Sequence, residues 1–255
     1  MSLDRYHLRL FTPGRLVVAL AGNPNTGKST LFNRLTGLRV HTGNWPGKTV
    51  VRNEGLCVRG GREVVLVDLP GTYSLLASSP EELIARDFVC FGRPHASVVV
   101  VDATCLERNL NLVLQMAEIT PRVVVCLNLV DEARRKGIQV DPAALEEGLG
   151  LPVVPTVARD GAGLDVLMER VIGVADGRIQ PAPRIPAYGC YLEACIEGLS
   201  GQLKDLVDGQ ISRRWVALRL VEGDETIISS LAAFAALRLP PPGRTGETGD
   251  PEAGG

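Results

Sequence analysis

Apolar residues along this chain come in two patterns, short unbroken runs and runs spaced three and four apart. The runs Leu16–Ala21, Glu63–Val67, Ser97–Asp102, Arg122–Leu127 and the short Pro152–Thr156 predict strands. Val50–Val58 predicts another strand, and the Gly60-Gly61 pair turns it back as a hairpin into Glu63–Val67, which makes one strand antiparallel. Helical spacing falls between the strands. It covers Ser29–Leu35, with Leu31 and Leu35 four apart, and Leu164–Ile172. In Leu106–Glu118 it puts Leu106, Leu110, Val113, Leu114 and Ala117 on one face. Pro80-Glu81-Glu82 has the proline and the acids of a helix start. Strands alternating with helices predict an α/β fold, a doubly wound and mostly parallel sheet with its ligand at the strands' carboxyl ends.

Beyond Pro181, Pro183 and Pro186 the strand signal stops. Leu192, Cys195, Ile196, Leu199, Leu203 and Leu206 follow helical spacing, and Trp215–Val221 and Thr226–Leu237 predict two more helices. The reading is a lead-in over 1–14, an α/β domain over 15–177, a small all-α domain over 178–240 and a disordered Gly-, Pro- and Glu-rich tail over 241–255.

Composition narrows the classes. The 255 residues are 45% hydrophobic and 22% charged, ordinary for a globular protein with a sizeable core. A formal net charge of −2 gives no electrostatic case for nucleic acid or an anionic membrane surface. No apolar run reaches transmembrane length and the start has no signal-peptide pattern, so the chain as given is expected to be soluble and cytoplasmic. Six cysteines without a C-x-x-C pair, and three isolated histidines, give no metal-ligand spacing; Cys57 and Cys126 are expected as small buried hydrophobes.

The chemistry starts at Gly22-Asn23-Pro24-Asn25-Thr26-Gly27-Lys28-Ser29, a complete G-x-x-x-x-G-K-[ST] phosphate loop between a strand and a helix. Its backbone N–H groups can wrap phosphates, Lys28 adds a cation for the β- and γ-phosphates, and the Ser29 hydroxyl can ligate Mg²⁺. The turn-rich loop from Arg39 to Thr49 follows, where nucleotide switches place a Thr on Mg²⁺; Thr49 is the candidate and Thr42 the weaker one. Asp68-Leu69-Pro70-Gly71 closes a strand as D-x-x-G, with Asp68 for Mg²⁺ and the Gly71 N–H for the γ-phosphate. Thr72 stands where Ras-like enzymes carry the Gln that orients water. Asn128-Leu129-Val130-Asp131 is an N-x-x-D guanine reader: the Asp131 carboxylate can accept from guanine N1 and N2, Asn128 braces the base loop and can reach the base, and Leu129 gives apolar cover. The Ala158 N–H is the candidate contact to guanine O6.

These residues resemble a family. Gly22–Asn33 is similar to the first motif of Era-like GTPases. Gly43-Asn44-Trp45-Pro46-Gly47-Lys48-Thr49-Val50, with Asp68–Leu75 and Ser79-Pro80-Glu81-Glu82, resembles the cytosolic part of bacterial ferrous iron transport protein B. Arg213–Asp224 is similar to that family's helical domain. The resemblance implies a GTPase domain coupled to a polytopic Fe²⁺-carrying membrane domain at the cytoplasmic face of the inner membrane. It also implies small cytosolic Feo partners, possible homo-oligomers, no nucleic acid, and GTP/GDP, Mg²⁺ and K⁺ as ligands. Onto the nucleotide it maps Asn23, Asn25, Thr26, Gly27, Lys28, Ser29, Thr30, Gly47, Lys48, Thr49, Asp68, Gly71, Asn128, Leu129, Asp131, Val157 and Ala158. Catalysis falls to Asn25, Lys28, Thr49 and Gly71; Mg²⁺ to Ser29, Thr49 and Asp68; and K⁺ to Asn25, standing in for an arginine finger. Lys48 replaces the family's usual small apolar residue, and Val157 a Ser or Thr whose hydroxyl braces the base loop. A soluble Era-like GTPase acting in ribosome or RNA maturation is the alternative, and a nucleotide-sensing adaptor without appreciable hydrolysis a third reading; a basic RNA module would mark the first, and residues 187–240 instead mix acids and bases.

Overall fold

The computed structural model describes Leu8 and residues 10–37, 39–76, 78–204 and 211–236. The strands are β1 (Leu16–Gly22), β2 (Val40–Asn44), β3 (Val51–Arg59), β4 (Arg62–Asp68), β5 (Ala96–Asp102), β6 (Val123–Asn128) and β7 (Val153–Pro155). They form one sheet in the order β2-β3-β4-β1-β5-β6-β7. β4, β1, β5, β6 and β7 are parallel, and β3 is antiparallel to both of its neighbours. Every residue of β1 and β6 is buried, as an unbroken apolar strand covered on both faces must be. At the hairpin, Gly60 and Gly61 take φ of 54° and 72°, the pair of positive values that a two-residue turn between twisted strands needs.

Residues 40–44 depart from expectation: they form an edge strand on β3 rather than a loop. Gly43 and Asn44 read as turn formers, and an edge strand bonded on one side tolerates them. Only residues 45–50 remain as the loop.

The helices are α1 (Lys28–Thr36), α2 (Pro80–Asp87), α3 (Leu106–Ile119), α4 (Val130–Arg135), α5 (Pro142–Leu149), α6 (Leu164–Ala175), α7 (Cys190–Gln202), α8 (Arg213–Val221) and α9 (Glu225–Ala236), with a π-turn over Phe88–Gly92 continuing α2. Successive strand residues face opposite layers. Val18, Leu20, Leu66, Val98 and Val124 meet α1 and α6 through Leu31, Phe32, Leu167 and Val171. Val17, Ala19, Val65, Val99 and Val125 meet α2, the π-turn and α3 through Ile84, Phe88, Leu112 and Met116.

The buried face of α3 is rotated from the one predicted. Asn109, Leu112, Val113, Met116, Ala117 and Ile119 are buried, while Leu106, Leu110 and Leu114 are half-buried. Buried Asn109 ties that face to the end of β5, its Oδ1 accepting the Asp102 N–H at 3.5 Å while its Nδ2 donates to Cys105 O at 2.7 Å.

Trp215 to Arg219 of α8 are buried, and residues of α7, α8 and α9 join the core cluster under α3. Two polar ties lock them on. Ser212 N–H donates to Ile119 O at 2.8 Å. Arg86 of α2, fully buried, donates to Thr226 at 2.7 Å and pairs with Asp87 at 2.9 Å and Asp224 at 3.5 Å. The expected residues Leu206 and Leu237 and the tail 241–255 lie outside the described residues. Of the lead-in, Leu8, Leu10 and Phe11 pack onto the core.

Candidate functional site

The parallel register draws the motifs to one edge. Leu20 lies beside Asp68, Gly22 beside Val100, and Asp102 beside Asn128, so the three motif loops leave β4, β1 and β6 at the carboxyl edge of the sheet, with only β5 between β1 and β6. Strand order reverses at β1, and the crevice at such a point is where open α/β sheets take ligands.

On the phosphate side, Gly27 caps α1 at φ 84° and Asn25 is left-handed at φ 68°. A Cβ on Gly27 would collide with Asn128 Nδ2, so glycine is required by close approach as well as by φ. Thr26 Oγ1 closes the loop on Asn23 O at 2.9 Å. Asn23 is buried with neither polar atom of its side-chain amide hydrogen-bonded among the described residues, whereas Asn25, Ser29 and Thr30 are exposed. Lys28 Nζ donates to Asp68 Oδ1 and, at 2.7 Å, to Leu69 O. The ammonium therefore sits on the carboxylate expected to face Mg²⁺. An entering phosphate would draw the ammonium off Asp68 and free that carboxylate for a cation.

On the base side, Asn128 joins two loops. Its Nδ2 donates to Thr26 O at 2.9 Å, and its Oδ1 accepts from Ala158 N–H at 3.0 Å and Thr156 Oγ1 at 3.2 Å. Through Oδ1 and one of its two Nδ2 hydrogens, Asn128 ties the base loop to the phosphate loop. Thr156 supplies a hydroxyl brace that the sequence reading, with Val157 in view, took as missing; the polar residue directly after β7 was its signal. Leu129 caps α4 at φ 62° and so turns Asp131 toward the cleft. Gly27, Thr30, Asn128, Leu129, Asp131, Glu132, Val157, Ala158 and Arg159 line that cleft, of about 230 Å³. It is smaller than the ~300 Å³ at which whole-ligand pockets begin, and suits one part of a ligand. Asp131 Oδ2 meets Arg159 at 3.3 Å and Arg135 at 3.4 Å, while its buried Oδ1 has no partner among the described residues. Arg159 was not foreseen.

The switch-like segments are less assembled. Gly47, Lys48 and Thr49 are exposed, and among the described residues no hydrogen bond joins them to the phosphate loop. A Cβ on Gly71 would lie 3.6 Å from Pro24, and Thr72 N–H donates to Gly22 O at 3.3 Å, so D-x-x-G packs on the phosphate loop. Thr72 is buried and its hydroxyl donates to Ser74 O at 2.7 Å, which turns it away from any water over the phosphates. Glu82 accepts Ser78 N–H at 2.8 Å while Ser79 accepts Glu82 N–H at 3.2 Å, a reciprocal cap on α2.

Among the described residues no cluster of three His, Cys, Asp or Glu could hold a metal. A hydroxyl and a single carboxylate beside phosphates still suit Mg²⁺, which keeps several waters and borrows ligands from substrate. Burial pushes the Cys126 thiol up to about 12 and raises Cys57 and Cys90 as well, so these are protonated packing residues. No helix of the described residues is long and apolar enough to cross a membrane.

Comparison with known proteins adds the family evidence. Residues 16–171 match the family model for ferrous iron transport protein B, and residues 188–239 that for the FeoB cytosolic helical domain. The chain is 44% identical over 214 residues to the Fe(2+) transport protein A/Fe(2+) transporter FeoB fusion protein of Porphyromonas gingivalis, covering 82% of this chain and 25% of that protein. With the Fe(2+) transporter FeoB of Salmonella typhimurium it shares 39% identity over 214 residues, 82% of this chain and 27% of that one. The chain thus spans about a quarter of the length of these relatives. Its fold is similar to the apo cytosolic domain of the T. maritima FeoB iron transporter, with a TM-score of 0.76 at 36% identity over 90% of this chain and 89% of that one. A mutant of S. thermophilus NFeoB bound to GDP gives a TM-score of 0.75 at 34% identity over 87% and 89%.

Proposed function

The chain belongs to the ferrous iron transport protein B family, and from that premise we propose that it binds GTP and GDP, hydrolyses GTP with Mg²⁺ and K⁺, and controls Fe²⁺ passage through a membrane domain present in the longer relatives. A G domain over 15–177 would carry the nucleotide and a helical domain over 178–240 its coupling to the membrane. The protein would then work at the cytoplasmic face of the bacterial inner membrane. The Porphyromonas relative joins transport protein A and FeoB in one chain by name, which supports a small Feo partner; self-association is carried over from the resemblance alone. The RNA-linked alternative is displaced by family matches to both parts of the chain.

One observation carries the nucleotide reading: Asn128 ties the phosphate loop to the base loop, and the neighbouring Asp131 keeps an unpaired buried oxygen beside the cleft. A carboxylate accepts from guanine N1–H and the N2 amine but faces a mismatch on adenine, where a polar group left unpaired is penalised. Leu129 covers the base. Lys28 would bind the β- and γ-phosphates, and Asp68, Ser29 and Thr49 would hold Mg²⁺. Bound Mg²⁺ and K⁺ would neutralise charge developing between the phosphates. Asn25 would hold K⁺, and cation assistance would stand in for the missing Gln; the exposure of Asn25 supports that reading.

The test is GTP hydrolysis with Mg²⁺ in K⁺ against Na⁺ buffer, for the parent and Asn25→Ala. K⁺ activation that disappears in the variant is the expected result; equal rates in both salts would remove Asn25 and K⁺ from the mechanism.

A further inference from the structure

The indole of Trp45 opens the exposed 45–50 loop yet is itself only 2% exposed. Its ring meets Phe88 of the π-turn edge to face, with centroids 5.3 Å apart and planes at 73°. The Arg52 guanidinium lies over it, 5.8 Å from the ring centroid. Arg52, on β3 and 5% exposed, pairs with Glu54 at 2.8 Å. Glu54, fully buried, also accepts the Leu10 N–H at 3.1 Å. One continuous buried line therefore runs from the lead-in through Glu54, Arg52 and Trp45 to the segment that follows α2.

Packing alone does not account for this line. An apolar replacement of a buried ion pair is often neutral or stabilising, so the pair is a poor choice for stability and a good one for fixing a single arrangement. The backbone on either side makes Trp45 a point of leverage. Trp45 N–H donates to Val50 O at 3.0 Å and Lys48 N–H donates to Trp45 O at 3.0 Å, so the loop that carries Thr49 closes on Trp45. Phe88, fully buried, sits where α2 changes from α to π geometry, a local irregularity that recurs at functional sites. α2 begins at Ser79 and Pro80, just beyond D-x-x-G.

We propose that Trp45, held between Arg52 and Phe88, is the joint that makes the 45–50 loop and the π-turn at the end of α2 move together, with the Arg52–Glu54 pair as its positioning residues. Its consequence for hydrolysis rests on the nucleotide reading above; the joint itself concerns two segments of the chain and is testable without nucleotide. A displacement of either segment is passed to the other through a stacked ring, because packed aromatic contacts shift between discrete arrangements instead of deforming smoothly.

Amide hydrogen exchange on the nucleotide-free chain, with GTP hydrolysis and GDP titration alongside, tests this in Trp45→Leu, Trp45→Phe and Glu54→Gln. In Trp45→Leu, exchange at Lys48 and across 88–92 rises together by about tenfold while β1 and β6 stay protected. kcat falls by about tenfold with GDP affinity within about twofold, the pattern of a group that acts beyond ground-state binding. Trp45→Phe, which keeps a ring against Phe88, recovers most of both effects, and Glu54→Gln reproduces them in weaker form. Exchange that rises in one segment alone, exchange that rises evenly through β1 and β6, or an unchanged kcat overturns the proposal. A parent chain that fails to bind GDP removes the nucleotide reading, and the exchange data then decide the joint by themselves.

Discussion

Asn128→Ala is the perturbation whose cost can be worked most fully from the geometry. The side chain is 1% exposed and makes three hydrogen bonds, at 2.9, 3.0 and 3.2 Å, to Thr26 O, Ala158 N and Thr156 Oγ1. Alanine leaves Thr26 O and the Ala158 N–H without these partners in a buried place. The Thr156 hydroxyl loses less, since it also reaches Leu127 O at 3.5 Å and Cys126 Sγ at 3.2 Å. Each orphaned group costs about 1–3 kcal/mol, so the two together cost about 2–6 kcal/mol. For a chain of this size that is a fall of roughly 4–24 °C in Tm, at about 2–4 °C per kcal/mol. The assay is a thermal melt of the nucleotide-free protein, repeated with Thr156→Val and the double variant. Because both side chains share Oδ1, their effects should fall short of additive by about 0.5 kcal/mol or more. A GDP titration should show affinity lost alongside, since the variant unties the phosphate loop from the base loop. A melt within about 1 °C of the parent, or strictly additive effects, would refute the brace.

Two further predictions follow from buried charge. Arg86→Met removes a fully buried guanidinium and leaves Asp87 and Asp224 facing each other across the α2–α9 contact, which should cost about 3–5 kcal/mol and expose α9 to early proteolysis; a urea midpoint equal to the parent's would contradict it. Burial pushes the His95 imidazole below its ordinary value, and its Nδ1 accepts the Val17 N–H at 2.9 Å, which requires that nitrogen unprotonated. The unfolded chain therefore takes up the proton first, so the stability due to His95 is complete above about pH 6.5 and is lost as pH falls from there toward the depressed folded value. His95→Gln should flatten urea stability between about pH 7.5 and about pH 5.5 relative to the parent, and an unchanged slope would sink the assignment.

What could be read from the chain alone divides along physical lines. β1 and β6 were legible because burial on both faces leaves no polar position to blur the run, and the phosphate loop because its glycines answer to fixed backbone demands such as φ 84° at Gly27. β2 was not, since an edge strand paired on one side needs few strand-forming residues. α5 went unread although Asp141 caps it and Gly150 ends it at φ 66°; with no fully buried residue it has little apolar face to show. The face of α3 was misjudged because buried Asn109 counts as polar in any periodicity. At the site, residue types were legible but pairings were not. Asn128 with Ala158, Asp131 with Arg159 and Lys28 with Asp68 join positions 28 to 40 apart, and only the fold decides which donor reaches which acceptor.

The most direct test of the central claim, a guanine-reading site at Asp131, is a titration of GDP, ADP and xanthosine diphosphate into the parent and Asp131→Asn. Asparagine can present a donor where the carboxylate presents only acceptors, which suits the C2 oxygen of xanthine in place of the amine of guanine. The account predicts that the parent prefers GDP to ADP by at least about 10³-fold and that the variant loses GDP and gains the xanthine nucleotide. Equal affinity for GDP and ADP, or a variant with unaltered base preference, would contradict it.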